Sequence, residues 1–229
     1  MPDFSQIETK IGYVFTDKRL LESAFTHRSF LNENRSLARE HNERLEFLGD
    51  AVLELVVTEF LYGKYPARPE GELTAYRAAL VNTVSIADAA SKLGMNEYLL
   101  LSRGEARDMG RARQIILANA FEALIGAIYL DSGYDSARKF IDNQLFHKTD
   151  DVVANRLWQD AKSRFQELAQ EKMQVTPTYK LLEQSGPDHD KLFVIGAYLA
   201  EAKVSTGEGR SKQEAEQDAA QKALVAKGW

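Results

Sequence analysis

The chain has 229 residues, of which 44% are hydrophobic and 28% are charged, a composition typical of a soluble globular protein with one large or two ordinary domains. It contains no cysteine, which excludes disulfides, cysteine-ligated metal sites and thiol catalysis. We find no secretory signal and no stretch approaching the about 18 apolar residues of a membrane span, so we expect a cytoplasmic protein without a membrane partner. The net charge of −5 by itself argues against a nucleic-acid partner.

Helical periodicity dominates the first two thirds of the chain. Apolar residues recur at three- and four-residue steps over 45–56 and again over 116–128. Proline and glycine residues interrupt the pattern at 65–69 and 131–133. We therefore expect a mainly α-helical domain without strands over residues 1–150.

The pattern changes after a short polar break, which predicts a linker over residues 151–156 and a second domain over 157–229. The expected order is α-β-β-β-α, with a helix over 160–172, strands over 178–184, 192–201 and 202–207, and a last helix that begins at Ser211. Its apolar core is expected to include Phe165, Leu168, Tyr179 and Ala219. Residues 156–229 contain 11 basic and 11 acidic side chains, so the acidic excess belongs to the helical domain.

Acidic residues share one face of the first long helix. Because each helical residue advances by about 100°, Glu43, Glu46 and Asp50 fall within an arc of about 60°. Carboxylates placed so closely repel one another, and Mg²⁺ is the cation that best matches such oxygen ligands. A solvated acidic face with Arg44 as its partner explains the same pattern equally well.

A second polar pair lies in an otherwise apolar segment. Asn119 and Glu122 are three residues apart and therefore share a helix face. Burying Glu122 without a partner is costly, so either a basic residue such as Arg44 pairs with it or it meets the first acidic face at a metal ion. Two packed helices could then surround one ion of the kind that activates water against a phosphodiester.

These residues belong to longer segments that resemble bacterial ribonuclease III. The segments that carry the resemblance are Thr26–Ser29, Asn42–Leu53, Glu70–Thr74 and Phe121–Asp131. The segment Asn42–Leu53, called the signature segment below, is long and contiguous, so the match is specific. The resemblance extends over essentially the whole chain.

The resemblance implies a Mg²⁺-dependent endonuclease, with Mn²⁺ as a substitute, that cuts double-stranded RNA in ribosomal and messenger RNA processing. It implies a homodimer formed through the signature segment, and staggered cuts that leave 5′-phosphate and 3′-hydroxyl ends with two-nucleotide 3′ overhangs. The positions matching the family's metal ligands are Glu46, Asp50, Asn119 and Glu122, and Asp50 and Glu122 are also expected to be catalytic. Glu43 and Glu70 match further acidic positions near the scissile phosphates, whereas His27 is expected to be structural.

One position departs from the family pattern. Asn119 stands where the family usually has aspartate, and its amide oxygen can ligate a metal but supplies no negative charge. The alternative function is therefore a double-stranded-RNA-binding protein whose cleavage is impaired at this position. A third hypothesis, a helical dimerisation protein without an RNA role, disagrees with the C-terminal pattern.

The C-terminal α-β-β-β-α order resembles a double-stranded RNA-binding domain, which recognises the shape of a duplex across two minor grooves. The positions that match its RNA contacts are Lys162, Gln166, Glu167, His189, Arg210, Ser211 and Lys212. Gln213 replaces the second of two lysines usual in the family, so one phosphate contact is expected to be weaker. A few placed cations and Mg²⁺ would hold the RNA, which makes the net charge of the chain a misleading guide.

Overall fold

The computed structural model describes residues 2–35, 39–107, 110–154, 158, 160–187 and 191–229. The chain divides into two compact units, with the boundary after Trp158. The first unit is helical and the second combines helices with one antiparallel sheet. This is the predicted fold class, a mainly α-helical nuclease-like bundle followed by a small α+β domain.

The helices of the first unit follow the predicted periodicity. They are α1 (Phe4–Ile11), α2 (Lys18–Ala24), α3 (Arg28–Glu33), α4 (Glu43–Lys64), α5 (Glu70–Val81), α6 (Thr83–Lys92), α7 (Arg111–Ser132), α8 (Tyr134–Leu145) and α9 (Thr149–Ala154). Polar side chains cap several of them: Asp17 accepts a hydrogen bond from the backbone N–H of Arg19 at the start of α2, and Asn82 caps α6 in the same way. The capped helices enclose one continuous apolar core.

Helix α7 is the centre of the first unit. Its side chains are buried over most of its length, and α4 packs along it. By length and composition α7 could cross a membrane, so the expectation that no stretch approaches a membrane span was wrong. Most of its apolar surface is nevertheless buried inside the unit, as in the core helix of a globular protein.

The segment predicted as a linker over 151–156 differs from that prediction. Residues 149–154 form α9, and Val152 and Val153 pack against the core of the first unit. The ring of Trp158 contacts the buried ring of Tyr76 edge-on, with centroids 5.1 Å apart. Polar residues at 148–151 suggested a break, but Val152, Val153 and Trp158 pack on the helical unit. Residues 155 and 156 of the predicted linker lie outside the described residues.

The second unit contains α10 (Ala161–Met173), β1 (Pro177–Ser185), β2 (Leu192–Leu199), β3 (Ala202–Gly209) and α11 (Lys212–Lys227). The strands pair in the order β1-β2-β3, each antiparallel to its neighbour. The predicted second strand ends earlier than expected because Ala200 has φ 51° and turns the chain. Both helices pack on one face of the sheet, and the core forms around Phe165 and Ala219, with Leu168 and Tyr179 against it as predicted.

Candidate active site and RNA interface

Two glycines allow α4 and α7 to approach backbone to backbone. A Cβ atom added at Gly49 would lie 1.8 Å from the backbone carbonyl oxygen of Glu122. A Cβ atom at Gly126 would lie 2.3 Å from the carbonyl oxygen of Leu45. No larger residue fits at either contact without separating the helices. The close approach places the acidic face of α4 beside the polar pair of α7.

The electrostatics of Glu122 show that the predicted residues act on one another. Burial, followed by the negative charges of Asp50, Glu46 and Glu54 in that order, raises the pKa of Glu122 to about 7. Burial also raises the pKa of Glu46, as do the charges of Glu43 and Asp50, whereas the Asn119 side chain lowers it as a hydrogen-bonding group. The four positions predicted as metal ligands therefore form one interacting cluster, called the carboxylate cluster below.

The carboxylate cluster lacks a neutralising cation from the chain. Within the ranges that the structure describes, no Lys or Arg side chain forms an ion pair with Glu46, Asp50 or Glu122. Arg44, one of the alternatives considered from the sequence, is exposed and does not pair with Glu122. The acidic charge is therefore left to be balanced by an external cation.

The donor chemistry of the cluster suits a hard divalent cation. Carboxylate and amide oxygens are the ligands preferred by Mg²⁺, and Mn²⁺ accepts the same set. In the described part of the chain, no three His, Cys, Asp or Glu side chains are already arranged as ligands of one ion. The residues fit the ion by chemistry and charge, and their oxygens would have to converge on it.

The two additional acidic positions lie in different surroundings. Glu43 is 3.4 Å from the guanidinium of Arg28 and 3.8 Å from the imidazole of His41, so a cation within the chain, Arg28, faces it. Glu70 begins α5, accepts a hydrogen bond of 2.8 Å from the hydroxyl of Thr74, and lines a separate cavity of about 400 Å³. Glu70 is therefore not among the residues whose charges raise the pKa of Glu122.

Glu54 acts on the carboxylate cluster, and sequence reasoning missed it. Its charge raises the pKa of Glu122, and its carboxylate is 2.7 Å from the guanidinium of Arg77. The signal was present in the sequence, because Glu54 follows Asp50 by four residues and therefore extends the same face of α4.

His27 has a structural position, as expected. It is the residue before α3, and its Nδ1 accepts a hydrogen bond from the backbone N–H of Ser29. Burial lowers its pKa, which favours the neutral imidazole. The hydroxyl of Ser29 in turn accepts from the backbone N–H of Ser102, so this segment attaches the loop before α7.

The predicted RNA contacts of the second unit occupy two exposed helix segments. Gln166 and Glu167 are exposed on α10, and Arg210 and Lys212 are exposed at the start of α11. Ser211 is the N-cap of α11 and accepts from the backbone N–H of Glu214, so it has a structural role as well. His189 lies outside the described residues.

Lys162 differs from the other predicted contacts. Its ammonium is 2.6 Å from a carboxylate oxygen of Glu216 and 5.2 Å from the centre of the Tyr179 ring. The side chain is only about one third exposed. The structure therefore gives this cation a partner inside the domain.

A pH dependence of stability follows from Glu122. Because its folded pKa exceeds that of an unfolded glutamate, the native state binds more protons between pH about 4.5 and 7, and stability falls as pH rises through this window. Without metal we expect the free energy of unfolding to fall by about 2 kcal/mol across this window. This value is smaller than the full pKa shift would give, because solvent screens the partly exposed carboxylate. Urea denaturation from pH 5 to 7.5 measures it.

The control for this measurement is Glu122→Gln, which removes the titrating group. Its profile should lack the part of the fall that Glu122 causes, while Glu46, whose pKa is also raised, still contributes to a fall. The half-buried His27 has a lowered pKa and acts in the opposite direction, but it titrates in both proteins, so the difference between the two profiles isolates Glu122. Parallel profiles would show that Glu122 titrates as an ordinary glutamate.

Each of the two units matches the model of a known protein family. A family model described as Ribonuclease-III-like matches residues 17–149. A second model, the double-stranded RNA binding motif, matches residues 161–225. The two matches cover the helical unit and the α+β unit respectively.

Curated relatives match over nearly the whole chain. Ribonuclease 3 of Protochlamydia amoebophila is 45% identical over 218 residues, covering 95% of this chain and 89% of the relative. Ribonuclease 3 of Desulforamulus reducens is 47% identical over 220 residues, with 96% and 89% covered. Ribonuclease 3 of Enterococcus faecalis is 45% identical over 220 residues, with 96% and 95% covered.

A solved structure resembles the first unit. The nuclease domain of ribonuclease III from Campylobacter jejuni is 41% identical, with a TM-score of 0.56, and the match covers 62% of this chain and 98% of that domain. That structure is described as showing flexibility in a region involved in dimer formation of the nuclease domain.

Proposed function

The chain belongs to the ribonuclease III family of endonucleases, and from this membership and the carboxylate cluster we propose that it hydrolyses double-stranded RNA with a divalent metal ion. The products would carry 5′-phosphate and 3′-hydroxyl ends with two-nucleotide 3′ overhangs. Structured precursors of ribosomal and messenger RNA in the cytoplasm are the proposed substrates. The observation that carries the proposal is the unneutralised cluster in which the pKa of Glu122 reaches about 7.

The residues of the cluster have distinct roles in this proposal. Glu46, Asp50 and Glu122 would hold the ion, with the Asn119 amide beside Glu46. A bound Mg²⁺ supplies an activated water and stabilises the charge that develops on the phosphate. Glu122 carries a proton in a large fraction of molecules near neutral pH, and it must release that proton to become a ligand. Metal affinity should therefore rise with pH.

The proposed assembly is a homodimer formed through α4. One face of this helix is apolar yet exposed: Phe47 is 82% exposed, Leu55 58% and Tyr62 76%. These residues, with Ala51 between the first two, recur on one helix face, called the α4 stripe below. Exposed apolar stripes of this kind mark interaction sites, and a second copy of the chain would bury this one.

Dimerisation predicts a large effect at the centre of the α4 stripe. Leu55→Glu places a charge where two apolar surfaces would meet, so we expect a monomer and a loss of cleavage. Sedimentation velocity measures the state of assembly. Val14→Glu is the matched control, because Val14 is also exposed but lies outside α4. A Leu55→Glu variant that remains a dimer contradicts the assignment of this surface.

We propose that the second unit binds the RNA duplex. Its match to the double-stranded RNA binding motif and the exposed residues on α10 and at the start of α11 support binding of duplex shape. Each contact with a phosphate releases counterions, so binding should weaken as salt rises. Removal of residues 159–229 should weaken binding and make it less sensitive to salt.

Asn119 favours a second candidate function. The amide in place of the usual aspartate leaves three carboxylates in the cluster, and a weaker metal site would leave a protein that binds duplex RNA without cutting it. The carboxylates of Glu46, Asp50 and Glu122 speak against this alternative, because a site without catalytic use has no need of that much unneutralised charge.

Cleavage of a uniform duplex of about 30 base pairs, longer than the about 16 spanned by one domain, tests the proposal directly. We expect staggered products with Mg²⁺ or Mn²⁺. Asn119→Asp adds a carboxylate and should lower the half-saturating Mg²⁺ concentration by about tenfold. Tight binding without cleavage by the wild type, together with cleavage by Asn119→Asp, would establish the binding-protein alternative.

A further inference from the structure

Side chains join the two RNA-facing helices of the second unit near their N-terminal ends. The ammonium of Lys162 on α10 is 2.6 Å from a carboxylate oxygen of Glu216 on α11. The amide of Gln217 donates a hydrogen bond of 2.9 Å to Asp160, and the backbone N–H of Lys162 donates one of 3.3 Å to Gln217. Asp160 also caps α10, so its carboxylate connects the start of one helix to the body of the other.

The Lys162 ammonium is held from two sides. Besides Glu216, it lies 5.2 Å from the centre of the Tyr179 ring, in the geometry of a cation–π contact. The Tyr179 hydroxyl is buried and, among the described residues, has no hydrogen-bond partner. Burial and the charges of Glu216 and Asp160 raise the pKa of Tyr179 to about 12. The lysine is therefore committed to contacts within the domain.

Helix geometry places this pair one turn from both groups of proposed RNA contacts. Gln166 follows Lys162 by four residues on α10, and Glu216 follows Lys212 by four residues on α11. A residue and its fourth neighbour share a helix face about one turn apart. The pair thus joins α10 and α11 at a point about one turn from each contact group.

We propose that Lys162 and Glu216 are positioning residues that fix the separation between the minor-groove contacts of α10 and the phosphate contacts at the start of α11. This inference rests on the proposed duplex binding of the second unit. It also revises the expectation that Lys162 itself contacts RNA. A duplex presents its grooves and phosphates at fixed distances. Two helices already held at matching distances bind the duplex without the entropy cost of ordering them on binding.

The test compares binding of the full chain to two RNAs by fluorescence anisotropy in EDTA, where no cleavage competes. One RNA is a duplex of about 30 base pairs, and the other is a hairpin stem of about 8, half the about 16 base pairs that one domain spans. The variants are Glu216→Gln, Lys162→Met, their combination and Lys162→Arg. Lys222→Met is the matched control, because Lys222 forms a 2.7 Å ion pair with Asp218 within α11 alone.

We expect Glu216→Gln and Lys162→Met each to weaken binding to the long duplex by about tenfold. The combination should be no worse than either change, because both remove one contact. The salt dependence should be unchanged, Lys162→Arg should retain affinity, and binding to the short stem should change by less than about twofold, since the stem engages only one contact group. Lys222→Met should bind as the wild type does.

Other outcomes overturn the proposal in distinguishable ways. If Lys162→Met lowers the salt slope by about 0.9, the loss of one phosphate contact, while Glu216→Gln binds normally, Lys162 contacts RNA directly. If both variants bind the long duplex as the wild type does, the pair has no positioning role. A wild type that does not bind the long duplex instead refutes the proposed function. Should Lys162→Met fail to fold, Glu216→Gln, which keeps the side-chain shape, carries the test.

Discussion

Replacing Glu122 with glutamine is expected to lower the rate of duplex cleavage by at least about 100-fold while leaving duplex binding unchanged. Glutamine keeps the shape of the side chain but removes the charge. Glu122 lies where the charges of Asp50, Glu46 and Glu54 converge, so its carboxylate is the one most strongly influenced by the rest of the cluster. Single-turnover cleavage measures the rate, and anisotropy in EDTA measures binding.

The matched control is Glu59→Gln on α4. The Glu59 carboxylate is exposed and contacts the Tyr134 hydroxyl and the Arg138 guanidinium, outside the carboxylate cluster. The Glu59→Gln variant should cleave the duplex at the wild-type rate. Loss of both cleavage and binding in Glu122→Gln would instead indicate a structural role, and a nearly normal cleavage rate would remove Glu122 from the proposed active site.

Helical periodicity explains which members of the carboxylate cluster could be expected to lie together. Carboxylates at Glu46 and Asp50 must share a face once the segment is helical, and the same rule extends to Glu54, which was overlooked. Periodicity could not show that Arg44 stays exposed or that α7 supplies the other half of the site. Those features depend on contacts between residues far apart in sequence.

The second unit shows the same limit. Turn residues and alternating patterns predicted the helix and strand order, and the ends of the strands differ by only a few residues. The partner of Lys162 could not be predicted, because Glu216 lies 54 residues away in sequence. A basic residue near an RNA-facing helix suggests an RNA contact until the fold places an acid beside it.

The end of the first unit was mispredicted for a related reason. Polar residues near 150 are typical of a linker, yet Asp150 is 2.6 Å from the Lys64 ammonium. A polar segment on a surface helix and a polar segment in a linker have the same amino-acid composition. Only the packing of Val152 and Trp158 distinguishes them.

Replacing Gly49 with alanine is expected to destabilise the first unit by about 3–5 kcal/mol and to disrupt the carboxylate cluster. The added methyl group would lie 1.8 Å from the Glu122 carbonyl oxygen, a backbone atom that cannot rotate away. The helices must separate, and the separation moves Asp50 away from Glu122. Urea denaturation measures the stability, and loss of the pH dependence assigned to Glu122 reports the altered cluster.

The same substitution at Gly63 provides the control. Gly63 also lies in α4, but nothing comes within 4 Å of a Cβ atom placed there. Alanine has the higher helix propensity, so Gly63→Ala should stabilise the protein by up to about 1 kcal/mol. The two substitutions add the same methyl group to the same helix. If Gly49→Ala lowers the stability and Gly63→Ala raises it, close approach to α7, and not helix propensity, makes glycine necessary at position 49. If Gly49→Ala were also stabilising, the backbone contact that brings the two halves of the carboxylate cluster together would be absent.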